Sequence, residues 1–524
     1  MSTEDEAFSY DLVPYTSYPY VRTHPDRLAT IGRMFGMDPA PITSCRVLEL
    51  GCASGGNLIP MAEQLPRSRM VGIDLGARQI EEGQAAVQAL GLDNVDLRHG
   101  DILEVDDSWG AFDYIICHGV FSWVPRPVQD KILQLCHERL TPQGIAYISY
   151  NTYPGWHLRD AVRHMMRYHT GQFTDPGQRT DQAGALVDFL AGAVDPNGAW
   201  GQLLRRELAL ISRTGSDYVF HEHLEEVNTP LYFHQMVERA RDQQLQYLGE
   251  ADVHTMLARG LSAEVVDTLG RISPDITRHE QYLDFVHNRQ FRATLLCHAA
   301  VDLDRALGPT TVVGGWLGFA AVDDEVPIDL SPGVRSAFRT PTGLDIGTDL
   351  PITKAALQLL RRAWPDLVSF EELVTQANGL VRAGGLDAGT DEEVAQRLGA
   401  DLLELYCSGG LELHSWRPSL ATRAGDRPRV SRYARYQAEH AKFVTTRRHV
   451  RLDLDVASAM VVRRLDGEHD REALVDTLVD GVLDGSLSID ADVDALGRDG
   501  LREPLGQVLT RTLDQLAAHG LLVG

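Results

Sequence analysis

Residues 46 to 56, Arg-Val-Leu-Glu-Leu-Gly-Cys-Ala-Ser-Gly-Gly, carry a short apolar run past Glu49 into a glycine turn, and the same strand-then-acid pattern returns twice downstream. Met-Val-Gly-Ile-Asp-Leu at 70 to 75 ends on Asp74, and Val-Asp-Leu-Arg-His-Gly-Asp-Ile at 95 to 102 places Asp101 just after a third strand. Between these runs lie segments of helical period, and that alternation predicts a mostly parallel sheet covered by helices. In such a sheet the carboxyl ends of neighbouring strands open onto one crevice, so three acids on three strand ends face one ligand. That ligand must bring a cation and several hydroxyl or amino donors. S-adenosylmethionine has them: an ammonium for Glu49, ribose hydroxyls for Asp74 and an adenine amino group for Asp101.

A nicotinamide dinucleotide is the competing ligand, because Gly51, Ala53 and Gly56 nearly complete the dinucleotide fingerprint and Asp74 stands at a ribose-binding distance. Two details count against it. The glycine that lets backbone approach a pyrophosphate is replaced by Ala53, and Glu49 would repel a diphosphate. The predicted cofactor contacts are therefore Glu49, Gly51, Ala53 and Asn57 at the methionine end, Asp74 and Leu75 at the ribose, and Asp101 and Ile102 at the adenine.

Strands are expected at 46–50, 70–74, 95–98, 112–117 and 145–150, with helices at Ala77 to Leu90 and Val128 to Leu140. Residues 155 to about 215 read as a helical insert over the crevice mouth, a natural cap or dimer surface. The sheet resumes with a helix from Tyr232 to Gln244 and strands at Leu245 to Gly249 and Phe291 to Cys297, so the first domain is expected to span 1–300, with a regulatory-like segment at about 216–300. A β-rich connector is expected at 301–351. Helices and a short strand pair over 352–416 follow a winged-helix order, and 417–524 looks like a second module of that kind. In the latter, helices are expected at Leu452 to Leu465, Asp470 to Leu483 and Leu505 to His519. The arginines from Arg423 to Arg448 read as a solvated connector.

A chain of 524 residues exceeds one core, and its 44% apolar and 23% charged composition is that of a globular protein. A formal net charge of −25 disfavours a nucleic-acid partner, which needs clustered Lys and Arg. The expectation is a cytoplasmic protein without membrane insertion, because no apolar stretch has spanning length and the N-terminus lacks a signal peptide's pattern. Six scattered cysteines without a Cys-x-x-Cys pair indicate neither a metal site nor a disulfide framework.

Several stretches lie outside any generic fold: Tyr-Pro-Tyr-Val-Arg-Thr-His-Pro at 18–25, Glu-Leu-Gly-Cys-Ala-Ser-Gly-Gly-Asn-Leu-Ile-Pro-Met-Ala at 49–62, His-Gly-Val-Phe-Ser-Trp-Val-Pro at 118–125 and Ser-Tyr-Asn-Thr-Tyr-Pro-Gly-Trp-His at 149–157. With His-Leu-Glu-Glu-Val-Asn-Thr-Pro-Leu-Tyr-Phe-His at 223–234 and the run from Gln281 to Cys297, they resemble bacterial protein lysine methyltransferases that carry a methyltransferase regulatory domain and a C-terminal winged helix. The resemblance implies a Rossmann-like class I methyltransferase fold (α/β, with a helical insert and C-terminal winged-helix-like α+β domains), S-adenosyl-L-methionine as cofactor and a protein or peptide substrate. It covers nearly the whole catalytic half; the C-terminal third matches in layout more than in residues.

Methyl transfer from a sulfonium needs a neutral amine, a short in-line approach and a dry pocket. With a lysine pKa near ~10.4, losing the proton at pH 7 costs roughly 4.6 kcal/mol, which burial among aromatics and a nearby acceptor can offset. The loops after the fourth and fifth strands offer His118, Phe121 and Trp123, then Asn151, Tyr153 and Trp156. From these, His118, Trp123, Asn151, Tyr153 and Trp156 are the predicted catalytic residues, with Trp123 and Tyr153 first for holding a cation and His118 also touching cofactor. Tyr15, Tyr18, Tyr20, Thr23 and His24 precede the first strand and read as a lid or a strap, with Tyr20 and Thr23 reaching the cofactor. The fourth-strand loop lacks the Asn/Asp-Pro-Pro-aromatic tetrapeptide of amide and nucleobase N-methyltransferases, so an aliphatic amine, a small-molecule hydroxyl or a peptide side chain remains as acceptor. A ribosomal peptide or other natural product as substrate, and a non-enzymatic cofactor sensor binding DNA through winged helices, stand as alternatives.

Overall fold

The computed structural model describes residues 16–258, 260–322, 328–490 and 493–524. Its centre is a seven-stranded sheet of β1 (Arg46–Leu50), β2 (Arg69–Asp74), β3 (Val95–His99), β4 (Phe112–Cys117), β5 (Leu140–Asn151), β6 (Leu245–Glu250) and β7 (Phe291–His298), in the order β3-β2-β1-β4-β5-β7-β6. The first five strands are parallel, and β7 inserts antiparallel between β5 and β6. β1 is buried from Val47 to Leu50, as a central strand covered on both faces must be. Parallel order reverses beside β1, where the chain runs to β2 on one side and β4 on the other. Glu49, Asp74 and the turn at Gly51 therefore meet at this switch point.

The helical insert is Gly155–Thr170, Pro176–Ala193 and Ala199–Ile211, with its own small core around Val162, Val187 and Leu204. It leads into a π-helix at Phe220–Leu224, a rare winding that concentrates at functional sites. The helix Phe233–Asp242 then returns the chain to β6.

Between residues 301 and 351 the described residues hold three short strands, β8 (Trp316–Gly318), β9 (Ser336–Arg339) and β10 (Asp345–Thr348), of which β9 and β10 pair antiparallel. Trp316–Gly318 (β8) is the middle strand of a three-stranded sheet, flanked by Val368–Ser369 (β11) and Glu412–His414 (β12). Of the strand pair expected at the end of 352–416, the strand Glu412–His414 forms, and it pairs with β8. Most of Thr310–Val322 is not strand; its first residues form a short 3-10 helix at Pro309–Val312. One apolar core runs without a break from Ile31 and Phe35 through Val312 and Leu317 to Leu357 and Leu402, so this module packs on the methyltransferase sheet.

The C-terminal module has a separate core around Val462, Leu478 and Leu513. Two elements there differ from the sequence expectation. Arg451–Asp453 is a strand (β14) paired with Phe443–Thr445 (β13), so the helix starts later, at Val456. The arginine-rich stretch contains the helix Arg432–His440 as well as β13, and Arg448 is buried on the Trp364 ring at 4.2 Å. A guanidinium stacked this way is a packing element, not a solvated charge.

Candidate functional site

Glu49 points into a cavity of about 750 Å³ at the switch point, a size suited to a bound small molecule. It is 3% exposed. Asn57 Nδ2 donates to its Oε1 at 2.8 Å, while Oε2 is buried with no hydrogen-bond partner. Burial pushes the Glu49 carboxyl up to about 8, against the Asn57 bond that lowers it and with the nearby charge of Asp74 adding to the rise. A buried carboxylate oxygen left bare costs stability until a donor reaches it. An ammonium is the donor that also supplies the missing charge.

The turn after β1 is shaped to bring backbone to this cavity. Gly51 has φ +79°, and a Cβ there would lie 2.3 Å from Val120 Cγ2. Ala53 holds φ +47°, an unusual conformation for a non-glycine residue, because its N–H donates to Asp74 Oδ2 at 2.8 Å. Asp74 Oδ1 accepts from Gly76 N–H at 2.8 Å. One carboxylate thus ties the first turn to the second. Asp101 caps its own turn, accepting from Leu103 N–H at 2.9 Å. Leu75 and Ile102, beside these acids, also line the cavity, and Leu75 is one of the chain's exposed large apolar side chains.

The N-terminal segment covers the turn. Gly56 N–H donates to Ser17 Oγ at 2.8 Å, and Tyr18 and Tyr20 line the cavity. Tyr15 lies outside the described residues. Thr23 and His24 do not line the cavity; both are buried behind it. Thr23 Oγ accepts from Asn57 Nδ2 at 2.9 Å, so it supports a residue of the cavity wall without lining the cavity itself. His24 caps the following helix by accepting from Asp26 N–H, and burial lowers its pKa to about 4.

Of the residues predicted for chemistry, His118, Trp123, Asn151 and Trp156 line the cavity and Tyr153 does not. Tyr153 stacks on His157 at 3.9 Å, and its hydroxyl donates to Asp160 at 3.3 Å. The turn through Pro154 and Gly155 sends its side chain to one side and Trp156 to the other. His118 sits 4.0 Å from the Tyr20 ring, with Nδ1 2.9 Å from the Tyr147 hydroxyl. Burial, reinforced by Arg22, lowers its pKa to about 3, so it is neutral at pH 7 and does not titrate there as its type suggested. Trp123 and Trp156 meet edge to face at 6.1 Å, and Asn151 Nδ2 donates to Asn228 at 3.0 Å.

Part of the cavity lining was not pointed to by the sequence. His221, Glu222, Glu225 and Val227 reach the cavity from the π-helix and the loop after it, with Arg159 from the insert and Phe291 from β7. Arg159 bonds Glu222 at 3.1 Å and lies over the Trp156 ring at 4.8 Å. Burial raises the Glu222 pKa, opposed by Arg159. The signal was the density of acids and histidines in Phe-His-Glu-His-Leu-Glu-Glu at 220–226. Among the described residues no group of three His, Cys, Asp or Glu side chains is arranged to hold a metal ion, and no helix is long and apolar enough to cross a membrane.

This geometry agrees with comparisons to known proteins. The chain matches the family models described as "Methyltransferase domain" over 47–144, "Predicted methyltransferase regulatory domain" over 215–298 and "PKMT, C-terminal winged helix domain" over 426–521. An uncharacterized protein of Rickettsia prowazekii is 33% identical, over 98% of this chain and 93% of that one. A second uncharacterized protein from the same organism is 41% identical over 47% of this chain and all of its own length. The structure of PKMT2 from Rickettsia typhi, 31% identical, superposes with a TM-score of 0.86 and covers 98% of this chain and 100% of that one. The same protein in complex with AdoHcy gives 0.87, again at 31% identity and over 98% and 100% of the two chains. With an acid-lined crevice at its switch point and likeness running along nearly its whole length, the chain belongs to the S-adenosylmethionine-dependent protein lysine methyltransferase family that joins a methyltransferase domain to a regulatory domain and a C-terminal winged helix.

Proposed function

We propose that this enzyme methylates lysine side chains of a protein substrate, and that the two ends of one cavity divide the work. Glu49, Asp74 and Asp101 hold S-adenosylmethionine, whose sulfonium supplies an activated methyl group. Trp123, Trp156 and Asn151 form the rim where the acceptor amine arrives, with Glu222 and Glu225 beyond them. The observation that carries this reading is the pairing of an acid-bearing wall with a tryptophan corner in the cavity that the cofactor acids line. A lysine is cationic on arrival and must be neutral to react, so it needs attraction first and a proton acceptor second. Glu222 serves both: its carboxyl pairs with Arg159, and its raised pKa makes it a better base than an exposed carboxylate. The aromatic face of Trp123 favours the cation by about 0.5–2 kcal/mol, and Trp156, whose ring already carries Arg159, helps to exclude water as the amine loses charge.

The test is incubation of the purified enzyme with labelled S-adenosylmethionine and candidate proteins, followed by peptide mass spectrometry. The expected result is one to three methyl groups on lysine. Label confined to small molecules would overturn it.

A further inference from the structure

The turn between β13 and β14 enters the methyltransferase domain from behind the cofactor cavity. His449, at its tip, has φ +58°, stabilised by its own N–H to Thr446 O at 3.0 Å and by Thr446 N–H to Val450 O at 2.9 Å. Its ring is 2% exposed, and Nε2 lies 2.8 Å from Asn57 Oδ1. The roles in this contact are fixed by its neighbours. Tyr20 N–H donates to Asn57 Oδ1 at 3.0 Å, and Asn57 Nδ2 donates to Glu49 and Thr23, so Oδ1 is the acceptor and His449 carries its proton on Nε2. The same hairpin grips the N-terminal segment: Phe443 packs on Tyr18 at 5.1 Å, and the Arg451 guanidinium lies 4.6 Å from the Tyr18 ring. Yet no residue of the hairpin lines the cavity.

We propose that this hairpin is a working part of the methyl-donor site: His449 is a positioning residue that orients Asn57, and through it Glu49, so that the docked hairpin sets cofactor affinity through this one bond. By reciprocity, cofactor binding tightens that docking. The proposal rests on Glu49 as the ammonium ligand. Without the His449 bond, Asn57 Oδ1 keeps the Tyr20 N–H but loses the donor that comes from the C-terminal module, so the amide whose Nδ2 leaves Glu49 Oε2 to the cavity is held less tightly.

Calorimetric titration of full-length variants with S-adenosylhomocysteine tests this. His449→Ala is expected to weaken binding about tenfold, the scale of one hydrogen bond at a buried site. His449→Gln, whose amide can still donate, restores most of the affinity. Glu63→Ala removes a different contact between the same modules, in which Glu63 accepts from Arg432 N–H at 2.7 Å, and leaves affinity within about twofold while lowering the melting temperature. In the wild-type protein, cofactor addition slows hydrogen exchange across 443–453. Wild-type affinity in His449→Ala, a loss in Glu63→Ala as large as in His449→Ala, or unchanged exchange in the hairpin would each overturn the proposal. Glu49→Gln separates the two levels: if it binds normally, the assignment of Glu49 fails; if it binds weakly and His449→Ala does not, only the coupling fails.

Discussion

Asn57 donates to Glu49 across 2.8 Å, and this bond leaves Oε2 as the carboxylate oxygen for the proposed ammonium contact. Oε1 is taken, Oε2 is bare, and the group stays protonated up to about pH 8 in the empty site. An arriving ammonium stabilises the ionised form, so binding below pH 8 expels the Glu49 proton. Because the folded pKa is raised from its ordinary value of 4.5, ionising Glu49 destabilises the empty protein progressively from about pH 4.5 to about pH 8. Cofactor reverses that loss. Titrations with S-adenosylhomocysteine at pH 6.5, in buffers of different ionisation heat, should show net proton release that disappears in Glu49→Gln. The thermal shift caused by the ligand should grow from pH 5 to pH 8, and a flat profile would refute the assignment.

Asp74 joins two turns as well as facing the cavity, through Ala53 N–H and Gly76 N–H. Asp74→Ala should therefore weaken cofactor binding by roughly tenfold to a hundredfold, at about 1.4 kcal/mol per decade, without unfolding the domain. Asp74→Asn should fall between, since its carbonyl oxygen still accepts from one turn. Fluorescence titration with circular dichroism as the folding control measures both, and unchanged affinity in the alanine variant would mean the ribose lies elsewhere.

Glu222→Gln keeps shape and removes charge at the acceptor wall. The expected outcome is a fall of about 10²-fold in kcat with the protein substrate, the scale of a general base, with cofactor affinity unchanged. Raising the pH, which deprotonates lysine in solution, should recover part of the rate. Equal losses in cofactor affinity and turnover would place Glu222 in the donor site instead.

Tyr153→Phe offers the opposite test. The hydroxyl is engaged with Asp160 outside the cavity, so kcat and KM should stay within about twofold, as for a partly exposed neutral hydrogen bond. A large drop in kcat would restore Tyr153 to the chemistry.

Arg292 tests the scaffold. Wholly buried, it bonds Glu250 at 2.6 Å, Asp284 at 2.8 Å and Glu280 at 3.0 Å, and stacks 3.9 Å from Phe233. Arg292→Met would leave three carboxylates buried around an apolar chain, a loss of about 3–5 kcal/mol. Arg292→Lys should rescue little, because one ammonium cannot reproduce the planar fork. Urea unfolding monitored by tryptophan fluorescence gives the magnitude, and a loss below about 1 kcal/mol would mean the cluster is solvated.

The sequence by itself determined the strand ends. Short, nearly continuous apolar runs such as Val47 to Leu50 and Phe112 to Cys117 are satisfied in a sheet covered on both faces, and an acid at the end of each of three runs points to the character of the ligand. These signals are local, so they survive being read one segment at a time. Tertiary structure alone decided which of two neighbouring aromatics faces the cavity, because Tyr153 and Trp156 are separated by a turn that packs on Asn288, Arg289 and Gln290, far along the chain. It also decided that β8 completes a sheet begun 50 residues later, and that His449 stands behind Asn57. A histidine at a hairpin tip carries no local mark of its partner: the bond spans 392 residues and exists only because two separately built cores dock.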